Sequence, residues 1–494
     1  MKKNFYISIS IILLQAFLQQ ALSQADVQLS NLVAPTKVNV PLLPDKDNLR
    51  SLGNLNKGWK DLYMRGIVWR EGYTWLAGVY YSGNTLVGQS AGHTLITTGE
   101  STNQNNTFVG TNAGFNDSTG GYNTFIGTSA GYSNTTGGSN TFVGQGAGND
   151  NTTGQSNTFL GVQAGTRNTS GISNVMIGEV AGGFNTIGHN NVYIGNEAGY
   201  LNNAGTYNTF VGDSAGRAVT STNNTMIGSK SGASTGSATG NTFLGSQSGV
   251  YNTTGSYNTA IGYFSLNNNN AATGNTALGY STGTLYTNGA YNTFIGRDAD
   301  ASAASLTNST AIGNTSRITA SHQVRIGNSA ITSIGGYADW SNISDGRFKK
   351  NIKENVPGLS FINKLKPITY NLDVSGLQKK LSANEEDAND KDAGVQQAIA
   401  AKEKLLQTGF VAQQVEKAAK EIGYEFSGVD APKNDNDLYS LRYAEFVVPL
   451  VKAVQELSKM NDEKDKLIAQ QQQQITDILK RLEAVEMRGS VSQK

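Results

Sequence analysis

The chain of 494 residues contains no cysteine, so it has no disulfide framework, no thiolate metal site and no cysteine nucleophile. Histidine occurs three times, as His93, His189 and His322, each alone in a polar stretch, which argues against a zinc centre or a histidine-based catalyst. Proline is scarce too, seven residues against 58 glycines, so the chain reverses direction often and does so through glycine. Net charge is +1, which gives no electrostatic reason to expect a nucleic-acid partner. Charge is nearly missing from the middle: residues 84–330 hold only fourteen Asp, Glu, Lys and Arg. No apolar run reaches the roughly 20 residues of a membrane span. The longest, Ile7 to Leu18, follows Met1-Lys2-Lys3 and precedes Ala21-Leu22-Ser23, and reads as a secretory signal over residues 1–23. The expectation is an exported protein, secreted or at the cell surface, with a mature start near Gln24.

What the chain does have is a repeat. Asn-Thr-Phe-Val/Ile/Leu-Gly-x-x-Ala-Gly recurs with about eight polar residues between copies, as at Asn123-Thr124-Phe125-Ile126-Gly127 and Asn292-Thr293-Phe294-Ile295-Gly296. The closing glycines from Gly110 to Gly313 fall 17 residues apart, with a single step of 16. A fixed period of that size predicts a β-solenoid over 84–328, too regular for a disordered linker. The apolar pair would form a short strand, glycine the tight corners, and Asn and Thr side-chain ladders between stacked coils. Acidic residues are too sparse for a calcium-binding roll, and the Asn-Thr pairs supply no regular ice-binding face.

Residues 24–83 begin as a linker with Pro35, Pro41 and Pro44 and continue into short aromatic strands holding Trp59, Trp69 and Trp75. A hydrophobic cap on the end of the solenoid is the expected role, because an open end exposes a sheet edge. An attachment surface is the alternative. Residues 329–343 form a junction in which Trp340 is expected to pack, and charge rises sharply after it. Beyond Leu450 apolar residues follow a three–four spacing through Val454, Leu457, Ile468, Ile475, Ile478, Leu482 and Val485, with polar Asn461, Lys464 and Gln471 at the same positions, and residues 459–494 read as coiled coil and tail. That spacing predicts a coiled-coil seam.

Two resemblances add to this reading. The repeats over about 84–328 are similar to the head repeats of trimeric autotransporter adhesins, although their period is longer; the likeness implies a trimer of β-rolls. Four ordered motifs resemble the intramolecular chaperone domain of phage tailspikes and endosialidases, the S74 peptidase family. They are Ser344-Asp345-Gly346-Arg347-Phe348-Lys349-Lys350-Asn351-Ile352, Leu365-Lys366-Pro367-Ile368-Thr369-Tyr370, Gly409-Phe410-Val411-Ala412-Gln413-Gln414-Val415-Glu416, and the run from Tyr443 to Leu457. Gly346 and Phe348 depart from the family's usual residues, and a charged, flexible insert is expected from Asp373 to Lys404.

The resemblance implies a small α/β or α-rich chaperone and autoprotease domain over 344–458, with Ser344 and Lys349 as a catalytic dyad that cuts the chain at the serine once the trimer has folded. It uses no cofactor and no metal. From spacing alone, Ser344-Asp345 could equally cap a helix, with Lys349 a solvated charge. Which bond beside Ser344 is cut stays open between Ile343–Ser344 and Ser344–Asp345. The function expected is an exported homotrimeric fibre, its partner itself, with a cell-surface or glycan receptor possible. The alternatives are a phage-type spike that binds or degrades glycans, for which the coils offer only scattered acids, and a trimeric fibre that does not cleave.

Overall fold

The computed structural model describes residues 66–70, 73–78, 83–98, 105–285, 288–338, 340–381 and 393–491. The expected signal segment and most of the 24–83 region lie outside them. The backbone divides into two compact units after Thr254.

In the first unit, three-residue strands recur with the sequence period, from Thr85–Val87 and Thr107–Val109 to Thr225–Ile227 and Thr242–Leu244. Each pairs in parallel with the next, in a register that places equivalent positions of the repeat on one another, as for Thr124↔Thr141 and Phe125↔Phe142. At the N-terminal end an antiparallel hairpin, Gly66–Arg70 with Tyr73–Gly78, pairs through its second strand with Thr85–Val87. The first coil's outer edge is thereby covered.

The strand alternates as β-geometry requires, so only its middle residue points inward. Phe108, Phe125, Phe142 and Phe159 are fully buried, and their rings stack at 4.7–4.8 Å, the spacing of the coils themselves. The third residue is the surprise. The apolar pair of the motif is not buried as a pair, because Ile126, Leu160 and Leu244 stand exposed on the outer face. One inward side chain, most often a ring, and one small residue, most often alanine, per coil make a thin core.

A polar ladder supplies what that core lacks. The Asn before each strand is buried, and its Oδ1 accepts the backbone N–H of the Asn one coil on, from Asn106 to Asn123 (2.8 Å) and from Asn123 to Asn140 (2.9 Å). Its Nδ2 donates to a backbone carbonyl in the following turn, as Asn140 does to Gly154 (2.8 Å). A second ladder runs through Asn134, Asn151 and Asn168, side chain to side chain at 2.8 Å. Buried amides satisfied at both ends cost little and fix the register. The glycine period has an equally local cause. Gly127 has φ +135, and a Cβ there would sit 2.5 Å from the Gly144 carbonyl oxygen of the next coil.

The second unit carries further coils, with strands at Thr259–Ile261, Thr276–Leu278, Thr293–Ile295, Thr310–Ile312 and Val324–Ile326, again parallel. A second short strand pair, Asp300–Ala301 with Arg317–Ile318, lines another side of the last coils. Numbering helices along the chain, α1 is the short His93–Thr98 of the first coil, and α2 (Leu359–Ile362), α3 (Val374–Leu381), α4 (Ala393–Glu403), α5 (Ala412–Glu421) and α6 (Val447–Val491) follow the coils. Strands Ile368–Tyr370 and Gln407–Gly409 pair antiparallel among them. No helix among the described residues is long and apolar enough to cross a membrane.

Two expectations change here. The stretch from Asp373 to Lys404 carries α3 and α4, which pack through buried Val374 and Ile399 and through the Ser375 amide and hydroxyl on Glu403 (2.8 and 2.7 Å), so it is not a flexible insert throughout. Trp340 does not pack at the junction: it is 83% exposed in the single chain.

Candidate functional site

The motifs after the coils converge on one small core. Phe361 of α2, Val415, Ala418 and Ala419 of α5, and Phe426 and Phe446 bury together, with Leu365, Phe410 and Leu441 against them. Motif residues therefore build the fold. Gly409 is held by space: a Cβ would lie 2.4 Å from the Tyr443 hydroxyl, which accepts the Phe410 N–H at 3.2 Å. Glu456 on α6 accepts the Leu359 N–H at 2.8 Å and so ties the start of α2 to the long helix.

The first motif stands apart from this core. Asp345 caps a single 3-10 turn, Gly346–Phe348, by accepting the Arg347 N–H at 2.9 Å. The Arg347 guanidinium returns to the same carboxylate, with Nε 2.9 Å and Nη2 2.5 Å from Oδ2. These hydrogen bonds hold the Asp345 carboxyl below its usual range and raise Arg347 above its own. The turn closes with the Lys349 N–H on the Gly346 carbonyl at 3.2 Å. It folds residue 349 back over residue 344, and Lys349 Nζ lies 2.8 Å from Ser344 Oγ.

Both readings of the spacing thus describe part of the site. Asp345 does cap a turn, and Lys349 nevertheless reaches Ser344. A lysine takes a proton from serine only in its neutral form, and burial favours that form. Here Ser344 and Lys349 are exposed. So are the apolar side chains around them: Trp340, Ile343, Phe348 and Ile352 are 74–95% exposed. The pair is in contact but open to water.

Among the described residues, no group of three or more acids or histidines in the coils could hold a metal ion. Glu179 and Glu197 occupy neighbouring coils, joined by the Glu197 N–H on the Glu179 carbonyl, but Glu197 is paired with Arg217 at 2.5 Å. Asp117 and Asp300 are buried. Sequence reasoning missed one cluster. Asp437 and Asn434 contact the last coil directly, and Lys402 the stretch just after it. Their partners lie 73 to 118 residues away, so no local spacing or motif could have marked them.

Residues 344–424 match the family model of the S74 peptidases, described as the chaperone of endosialidase. The match begins at Ser344, includes Lys349 and covers none of the coils. Among curated proteins, nothing matches the chain.

Proposed function

We propose that this protein is an exported homotrimeric fibre whose C-terminal module drives assembly and then separates itself from the coils by one cut at Ser344. The observation that carries the reading is the 2.8 Å contact of Lys349 Nζ with Ser344 Oγ inside the matched segment. Partnering is supported by α6. From Leu457 to Met487 every residue of it is exposed, and with Val454 the whole seam of Leu457, Ile468, Ile475, Ile478, Leu482 and Val485 stands in water. A long helix with an uncovered apolar seam is stabilised by packing against copies of itself. A parallel three-stranded coil would register the chains before the coils stack, a slow process that leaves sheet edges open while incomplete.

The same association would switch on the chemistry. Covering Trp340, Ile343, Phe348 and Ile352 removes water from the dyad and favours neutral Lys349. Lys349 then accepts the Ser344 hydroxyl proton as Oγ attacks a carbonyl, and returns it to the leaving amine. Attack on the Ile343 carbonyl closes a five-membered ring, whereas attack on the serine's own carbonyl would close a strained four-membered one. The bond assigned is therefore Ile343–Ser344, transferred as an ester to Oγ and released by water. Each chain reports its own assembly once.

Denaturing gels and intact masses of the wild type beside Ser344→Ala and Lys349→Ala test this. The expected result is wild-type fragments of about 320 and 150 residues, with both variants intact and a new N-terminus at Ser344. A wild-type trimer that stays full length would leave a fibre with a permanent C-terminal trimeriser.

A further inference from the structure

A stack of parallel coils ends in a row of backbone groups that no further coil can satisfy. Within the second unit, the last coil closes with strands Arg317–Ile318 and Val324–Ile326. The turn between them is held from inside by Gln323, whose Oε1 accepts the N–H groups of Thr319 (2.9 Å) and Ala320 (3.2 Å). Its outer side is met by a loop from the helical module. Thr319 Oγ1 donates to Asp437 Oδ1 at 2.5 Å, and Gln323 Nε2 donates to the same oxygen at 3.1 Å. Asn434 Nδ2 donates to the Thr319 carbonyl at 2.9 Å. On the adjoining stretch, Lys402 Nζ donates to the carbonyls of Ser329 (2.7 Å) and Ile331 (2.5 Å).

The loop is built to do this. Asp437 is only 7% exposed, and its second oxygen accepts the Lys433 N–H at 3.2 Å. The Asp437 N–H in turn donates to the Asn434 carbonyl at 3.1 Å. A buried carboxylate is tolerated because neutral donors from both sides converge on it. Asn434 and Asp437 lie beyond the matched segment, which ends at residue 424. They therefore belong to how this module meets these coils.

We infer that Lys402, Asn434 and Asp437 form the C-terminal cap of the coils, and that the two sides of a cut at Ser344 stay joined through it. Every one of these contacts links residues 319–331 with residues 402–437 and none depends on the peptide bond at 344. The second half of the inference deepens the cleavage reading; the cap itself stands without it. The cap takes the place of the next coil: a polar side chain on an edge carbonyl, as Asn ladders supply elsewhere. Scission then yields a nicked complex, and loss of the module requires breaking the cap.

The test is kept independent of self-cleavage by working in a Ser344→Ala chain with a specific-protease site placed at Gly335-Gly336, where the backbone is exposed and has open space around it. After cutting, the expected result on size exclusion at neutral pH is co-elution of the two fragments. Combined Asn434→Ala and Asp437→Ala should separate them. In the uncut chain, amide exchange over residues 310–326 should rise at least tenfold in that variant, with coils 124–244 unchanged as the control for folding. The isosteric Asp437→Asn, which keeps the loop's shape, should raise exchange over the same residues to a lesser degree. Immediate separation of the parent fragments would overturn the inference, and so would co-elution and exchange indifferent to the double variant. Whether Ser344 cuts the native chain does not enter either outcome.

Discussion

The coils and the helical module solve the burial problem in opposite ways. In the coils, buried amides meet buried amides one repeat away, and each ring stacks on the ring 17 residues on, as Phe125 does on Phe142. Most of the buried polar groups there are satisfied by the same chain, with Asn202 Oδ1 and Thr235 Oγ1 among the few left over. In the module, α6 runs from Val447 to Val491 with its apolar seam in water, and the Ser344–Lys349 pair lies open among exposed apolar side chains. One region is complete once stacked; the other leaves its apolar seam uncovered. The difference teaches where assembly has to be controlled: stacking gains little until several coils are in place, so the element with unspent apolar surface is the one suited to start it.

The sharpest way to break the comparison is to charge the seam. Ile475→Asp with Leu482→Asp should abolish the trimer in sedimentation and, with it, the fragments on a denaturing gel, an all-or-none effect. A cut chain that sediments as a monomer would show that burial by partners is not what activates Lys349. The next largest effect lies in the coils. Gly144→Ala places a Cβ 2.2 Å from the Gly161 carbonyl oxygen at φ +137, and a backbone clash of that kind should destabilise by more than about 5 kcal/mol. The expected readout is local: amide protection lost around residues 141–163 with no change in oligomeric state.

A third change addresses the ladder. Asn157 receives the Asn174 N–H at 3.0 Å on its Oδ1 and donates to Gly171 at 2.8 Å. Asn157→Ala removes both in a fully buried position and should cost about 4 kcal/mol, from at least two orphaned backbone groups at roughly 1–3 kcal/mol each plus the lost bonds. Asn157→Ser, shorter but polar, should recover part of that in chemical denaturation. Equal losses in the two variants would mean that volume, not hydrogen bonding, sets the value of the position.

The coils were largely legible from residues alone because their cause is local. The period, the glycine corners and the Asn ladder each follow from one repeat meeting the next. What was missed even there is which half of the Phe-Ile pair faces inward, a question that strand alternation decides: with Asn123 and Phe125 inside, Ile126 must point out. In the module, Ser344 and Lys349 sit five residues apart and one turn joins them. Trp340 was misplaced because an aromatic side chain in a short junction was expected to find a core, and within this chain it finds none. Asn434 and Asp437 were invisible, since they meet Thr319 across more than a hundred residues.

A fourth change tests whether the ladder tolerates charge. Asp117 occupies the head of the second ladder, where the next three coils have Asn134, Asn151 and Asn168. Asn134 donates to its Oδ2 at 2.9 Å and the Gly120 N–H to its Oδ1 at 3.0 Å. Burial outweighs these bonds and pushes its carboxyl up to about 7 from 3.8. Below pH ~4 the group is protonated folded and unfolded, so it has no effect on stability. Between about 4 and 7 the unfolded chain releases the proton while the folded chain keeps it, so stability falls as pH rises and levels off above 7. A shift of that size corresponds to a loss of about 4 kcal/mol by neutral pH. Asp117→Asn should therefore stabilise the first coils at pH 7.5, leave them nearly unchanged at pH 4, and flatten the difference between the two in thermal melts. If the wild type is instead as stable at pH 7.5 as at pH 4, the carboxylate is accommodated as a charge, and the coils are less strictly neutral inside than the Asn ladder implies.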